Sequence, residues 1–249
     1  MADVDAAVAE GGPAAGCQTM LTALDVKAEA QGVENIPMTG PTIILANHPG
    51  AYDSMAIGSV IPRRDLNVIV AKTRFYQVLP HIHPHMHYAS QERSESMTAL
   101  RQAVHHLKRG GILLQFGSGL IEPDPALQPL YDSVFKRWSP SIEVFMRKVP
   151  ETQLVPTIVS NVLLERFANH PLTGLRRDPM DKRRLAEFLQ VIQQLVFPKS
   201  VQATPKISFG SPVSLAALEE QGAQRRLMPA IIDRVKEQLA YHLEVYYHQ

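Results

Sequence analysis

The segment Asn47-His48-Pro-Gly-Ala-Tyr-Asp53 brings an imidazole and a carboxylate together across a Pro-Gly turn. Histidine takes and returns a proton near neutral pH without needing a shifted pKa. A carboxylate folded back onto the ring would fix its tautomer and stabilise the imidazolium. No serine is required, since a substrate hydroxyl can be the nucleophile. The same residues also suit a plain turn, with Asp53 as a helix N-cap. Spacing alone leaves both readings open.

Three other stretches carry chemically capable residues. Gly117-Ser118-Gly119 follows an apolar run. It fails the G-x-S-x-G nucleophile elbow, because Phe116 and Leu120 stand at the outer glycine positions. Its backbone N–H groups could form an anion-binding nest, or the segment is simply a tight turn. His81, His83, His85 and His87 alternate, which on an extended chain would align four imidazoles for Zn²⁺ or Ni²⁺. Pro84 disturbs the alternation and no carboxylate or cysteine lies close by, so the stretch reads as a polar loop and no metal is expected. Arg176 to Arg184 holds five basic and two acidic residues. Next to an apolar-faced helix it could dock on anionic lipid. The preferred reading is an ordinary helix with Leu185, Phe188 and Ile192 in the core and its charges solvated.

The elements that must position these residues follow from the apolar pattern. Continuous apolar runs mark strands at Thr42–Ala46, Leu66–Val70, Met86–Ala89, Ile112–Phe116, Leu154–Ser160 and Gln202–Phe209. Pro156 is expected at a strand start or edge. Helices are expected at Met20–Val26, Asp53–Ile61, Ser94–Lys108 with Ser94 as N-cap, Ser139–Lys148 and Asp181–Val196. Two more are expected near Leu215–Gln221 and Arg225–Tyr246. Gly117 to Tyr131 reads as a loop. Runs without alternation imply strands covered on both faces. The fold class is therefore α/β, a single domain with a mostly parallel central sheet flanked by helices. Residues 1–18, rich in Ala and Gly, are expected to be a flexible N-terminal tail, with the domain spanning 19–249.

Composition narrows the function classes. The 25 Lys+Arg against 24 Asp+Glu leave +1, with no basic excess of the nucleic-acid-binding kind. The lone Cys17 excludes an internal disulfide framework and favours a reducing compartment. No run approaches the ~18 apolar residues of a membrane span. The N-terminus lacks the basic and apolar regions of a secretory signal. The expected location is cytoplasmic, free or resting on a membrane without crossing it.

Read as NHx4D, Asn47 to Asp53 resembles the first motif of the phospholipid/glycerol acyltransferase family, the lysophosphatidic-acid-acyltransferase-like enzymes. The resemblance extends in order and spacing over about residues 40 to 160. Glu92-Arg93 falls where the second motif has an Arg that helps hold the acceptor. Phe116-Gly-Ser-Gly119 falls where a strand runs into Phe-Pro-Glu-Gly-Thr-Arg. Leu154-Val-Pro156 is similar to the fourth motif. The resemblance implies acyl transfer from acyl-CoA or acyl carrier protein to a hydroxyl of a glycerolipid-type acceptor. It makes His48 the general base and Asp53 its partner, with no cofactor beyond the acyl co-substrate. It puts Asn47, Arg93, Phe116, Gly117, Ser118 and Gly119 on the substrate side.

The third motif departs from the pattern. Gly117 replaces Pro, Ser118 replaces Glu, and Leu120-Ile121 replaces Thr-Arg. An Arg would give bidentate phosphate recognition, which this pair cannot. Lys72, Arg74 and Arg93 are the expected replacements, each equally able to be a solvated surface charge. A catalytically degenerate acyl- or lipid-binding protein of the same fold is the alternative function, and metal-dependent hydrolysis at the histidine cluster a third.

Overall fold

The computed structural model describes residues 1–90, 92–130, 132–197, 199–220 and 226–248. Seven strands form one sheet: β1 (Glu29–Gln31), β2 (Thr42–Ala46), β3 (Leu66–Ala71), β4 (Met86–Ala89), β5 (Ile112–Phe116), β6 (Gln153–Ser160) and β7 (Lys206–Phe209). Their order is β1-β7-β6-β2-β5-β3-β4. Every pairing is parallel except β6–β7. The α/β class, single mostly parallel sheet and flanking helices are as the sequence implies.

The central strand shows why continuous apolar runs form such a sheet. All of Thr42 to Ala46 is buried. Ile44 and Ala46 pack with α2 (Pro13–Ala23) and α3 (Asp53–Val60) on one face. Ile43 and Leu45 pack with α5 (Arg93–Lys108), α7 (Ser141–Lys148) and α11 (Met228–Tyr247) on the other. With a helix layer on each side, both side chains of an alternating pair are mostly apolar.

Several expectations change. Residues 1–18 are helical rather than a tail: α1 (Ala2–Gly11) and α2 pack as a pair, and α2 packs on α3. Alanine gives them helix propensity without large apolar residues. Gly12, in the left-handed region, breaks the two apart, and Pro13 opens the second. Gly16 lets the pair close, because a Cβ there would stand 2.3 Å from Val8. Asp5 ties the segment down by accepting the His81 and Ile82 N–H groups, each at 3.0 Å.

Strand β1 has no apolar run to mark it and was not expected, and β7 starts at Lys206 instead of Gln202. Other differences lie at helix ends. α5 starts at Arg93 with Glu92 as N-cap, so Ser94 is inside the helix. Asp53 is the first residue of α3 rather than its cap. α9 (Pro179–Val196) is capped by Asp178, whose Oδ1 accepts the Met180 and Asp181 N–H groups. Shorter helices α4 (Arg74–Gln77), α6 (Asp132–Phe135), α8 (Glu165–Ala168) and α10 (Leu215–Leu218) complete the chain. The expected helix ends at Gln221 and Arg225, and the loop end at Tyr131, lie outside the described residues.

Pro156 is neither at the start of β6 nor on a sheet edge. It faces the point where the β7 ladder ends: its carbonyl accepts the Gly210 N–H, and pairing resumes only at Leu154 with Val213. Its missing donor therefore costs no regular ladder bond.

The loop after β5 is fastened to the end of β6 by one buried carboxylate. Asp124 accepts N–H bonds from Ala126 (2.9 Å), Asn161 (2.9 Å), Val162 (2.8 Å) and Leu163 (3.2 Å). Burial pushes its pKa up, and these donors act against that. Asp124→Ala strands the four donors, and urea unfolding is expected to show a loss of at least about 2 kcal/mol with little change in slope.

Candidate active site

β2 lies between β5 and β6, at the place where the chain's connections diverge to either side, and ligand crevices form beyond the carboxyl ends of such strands. Pairing of Ala46 with Phe116 brings the residues following β2 beside those following β5. His48 thereby stacks on Phe116, with ring centroids 4.3 Å apart and 20° between planes.

His48 Nδ1 lies 2.7 Å from Asp53 Oδ2. Asp53 is fully buried and also accepts the Gly50 N–H (3.1 Å) and the Ser54 N–H (2.6 Å). A carboxylate so held has an orientation set by backbone. It makes Nδ1 the protonated ring nitrogen and leaves Nε2 as the basic one. Burial of the ring opposes its charged form, but the charge and hydrogen bond of Asp53, with smaller contributions from Glu187 and Glu122, outweigh this and raise the His48 pKa above its ordinary 6.5. Such an imidazole can take a proton from a hydroxyl and return it to a leaving group.

Glu122 locks the two loops. Its N–H donates to the His48 carbonyl (2.7 Å), and its carboxylate accepts from the His48 N–H (3.3 Å), Ser118 Oγ (2.5 Å) and Trp138 Nε1 (2.9 Å). It is fully buried, which pushes its pKa up. Ser118 is thus engaged with Glu122 rather than with His48, so it lacks the contact of a hydrolase nucleophile. The Trp138 ring explains Gly117: a Cβ there would stand 2.0 Å from the indole.

Glu187 of α9 reaches the same place from far along the chain. Its Oε1 would lie 3.7 Å from a Cβ on Gly50, and that atom has no hydrogen-bond partner among the described residues. Burial, reinforced by the Asp53 charge, pushes its pKa up to about 7. Its local sequence, a Glu inside an amphipathic helix, gives no signal of this role.

Two cavities meet the His48 loop. One, of about 630 Å³, lies between β3, β5, α5 and α7 and is lined by His48, Phe116, Ser118, Gly119, Ile69, Val70, Leu100 and Phe145. The other, of about 350 Å³, is lined by Pro49 and by charged side chains of both signs: Glu122, Asp124, Glu165, Lys182 and Arg183. Phe116, Ser118 and Gly119 therefore stand beside His48 as expected.

Other expected site residues stand elsewhere. Both side-chain polar atoms of Asn47 are taken by the Val159 backbone, each at 2.8 Å, so it clamps β2 to β6. Gly117 faces Trp138. Lys72 is exposed and paired with Glu95, and Arg74 is exposed. The Arg93 side chain lies outside the described residues. The four histidines turn to different partners: His81 to Asp5, His83 to Tyr88, His85 to the Leu66 carbonyl and His87 to Asn67. Among the described residues no three His, Cys, Asp or Glu side chains are grouped to hold a metal.

A His–carboxylate pair thus stands at the end of a central parallel strand, with a largely apolar cavity on one side and a charged one on the other. The family model Acyltransferase matches residues 27–146, just under half of the chain, and this segment contains the His48 and β5 loops. The fold is similar to the crystal structure of the 1-acyl-sn-glycerophosphate (LPA) acyltransferase PlsC from Thermotoga maritima. That match has a TM-score of 0.55 and 16% identity over 90% of this chain and 76% of that one. No curated protein sequence matches the chain.

Titration of the His48 ring followed by NMR is expected to give a pKa above 6.5. In Asp53→Asn the anionic partner is gone, burial acts with less opposition, and the midpoint is expected to fall below the wild-type value. An unchanged midpoint would show that Asp53 does not set it.

Proposed function

We propose that this protein is an acyltransferase that moves a fatty acyl group from acyl-CoA or acyl carrier protein to a hydroxyl of a glycerolipid-type acceptor, with His48 as general base and Asp53 as its positioning partner. The observation that carries this reading is the 2.7 Å Nδ1–Oδ2 contact, with Asp53 buried and His48 on a cavity wall. Nε2 takes the acceptor proton as the oxygen attacks the thioester carbonyl. The tetrahedral intermediate collapses, the C–S bond breaks, and the imidazolium returns the proton to the departing thiolate. An ester and a free thiol result, with no acyl-enzyme. The Ser118 and Gly119 N–H groups are the nearest choice for stabilising the oxyanion. The apolar walls of the larger cavity suit the acyl chain.

The smaller cavity, with Lys182 and Arg183 on its wall, suits the acceptor. Lys182 and Arg183 offer the anion contacts that Leu120-Ile121 lacks and that exposed Lys72 is poorly placed to make. Contact with a lipid surface belongs to the same reading, since both substrates carry acyl chains or are made into lipids.

CoA release is measured with a panel of acyl-CoAs, with and without lysophospholipid and other hydroxyl acceptors, and with acyl carrier protein as the second donor. Acceptor-dependent release is expected, reduced at least ~10³-fold in His48→Ala. Release that survives the substitution would sink the assignment of the base. Acyl binding without release by the wild type would favour the degenerate binding protein.

Arg183→Gln tests the acceptor side. With a phosphorylated acceptor its KM is expected to rise about tenfold or more. With a neutral acceptor it should change little. An equal effect on both would remove Arg183 from phosphate recognition.

A further inference from the structure

α9 is turned opposite to the usual sense. At about 100° per residue, Leu185, Phe188, Ile192, Leu195 and Val196 share one face and Ala186, Glu187, Gln190 and Gln194 the other. The polar face is the buried one. Gln190 donates to the Tyr52 hydroxyl and the Val162 carbonyl, and Gln194 to the Leu24 carbonyl. The apolar face is open: Phe188 is 60% exposed, Ile192 41%, Leu195 58% and Val196 59%. This overturns the expectation that Phe188 and Ile192 pack into the core.

The surroundings are cationic. Arg176, Arg177 and Arg184 are exposed, and Arg176 and Arg184 share a shallow hollow with Leu185 and Phe188. Of the two acids in the stretch, Asp178 is engaged in capping α9, and Asp181, which also lines the hollow, makes an exposed 3.9 Å pair with Arg184, so the stretch keeps its basic excess. Leu175, 77% exposed, lies in a short helical turn that packs on α9.

We propose that the outward face of α9 docks on an anionic bilayer, with Phe188, Ile192 and Leu195 entering the interface and Arg176, Arg177 and Arg184 meeting lipid phosphates. Charge selects this occupant. A second copy of the chain would bring the same cationic stretch with it, whereas anionic lipid supplies the opposite sign. The inner side of the same helix carries Lys182 and Arg183 into the smaller cavity and Glu187 to the His48 loop. Docking would therefore set the acceptor entrance at the membrane surface. This deepens the lipid-surface part of the proposed function, and the test reads binding instead of turnover so that the two can fail separately.

The full chain is sedimented with vesicles of phosphatidylcholine alone and of phosphatidylcholine with phosphatidylserine at about three to one. Wild type is expected to partition onto the anionic vesicles, and less so at high salt. Phe188→Ser/Ile192→Ser/Leu195→Ser and Arg176→Gln/Arg177→Gln/Arg184→Gln should each weaken partitioning by about tenfold or more. Both variants should keep the wild-type circular dichroism and melting curve, since these side chains are solvent-facing. Wild-type failure to bind anionic vesicles, or equal binding by the variants, would overturn the proposal. So would a wild-type dimer that the Ser variant converts to monomer, because the face would then belong to a second copy.

Discussion

A carboxylate taken out of water must be met by donors, and this protein uses that requirement to assemble its site. Besides Glu187, three buried acids stand at the carboxyl end of the sheet, and these three are met by donors. Asp53 is held by Gly50 and Ser54 N–H groups and holds the His48 ring. Glu122 is held by His48, Ser118 and Trp138 and joins the loop after β2 to the loop after β5. Asp124 joins the latter loop to the end of β6. None of the three can move without leaving donors unpaired, so the loops behave as one rigid rim. Hydrogen bonding here supplies positional accuracy more than net stability, since each bond replaces one to water.

The part of this arrangement visible in the chain is the local part. His48 and Asp53 are five residues apart, so a single turn reports their meeting. Six of the seven strands were legible for a related reason: a run such as Thr42 to Ala46 has one physical use in a helix-covered sheet, whereas the short edge strand β1 has no such run. What could not be read was contact across long separations. Glu187 reaches Gly50, and Trp138 covers Gly117, only after the sheet has ordered the chain. Lys72 was a candidate for the missing motif arginine, but it is exposed and paired with Glu95 of the adjacent helix. The departure at Gly117, which reads as a loss of pattern, is the space the indole occupies.

The N-terminal segment shows the opposite limit. Its lack of large apolar residues argued against packing, yet small residues pack where backbones approach closely. Gly16 against Val8, and Gly58 against Cys17, allow α1, α2 and α3 to nest at short range. The burial that holds Cys17 there pushes its thiol up to about 12, so the one cysteine serves as a small apolar filler.

Periodicity tells which residues of a helix share a face, but not which face turns inward. For α9 that choice is made by its neighbours. The ground beneath it offers the Tyr52 hydroxyl, the Val162 and Leu24 carbonyls and the Leu164 N–H, all polar and partly or wholly enclosed. Only a face with glutamines can satisfy them. An apolar face laid there would strand several polar groups at about 1–3 kcal/mol each. The outward side chains forgo roughly 1.5–3 kcal/mol apiece of burial. A folded chain can carry that loss, because polar contacts hold the helix from within. The forgone burial is then available to an external apolar phase, and the basic residues beside it bias that phase towards one with anionic headgroups.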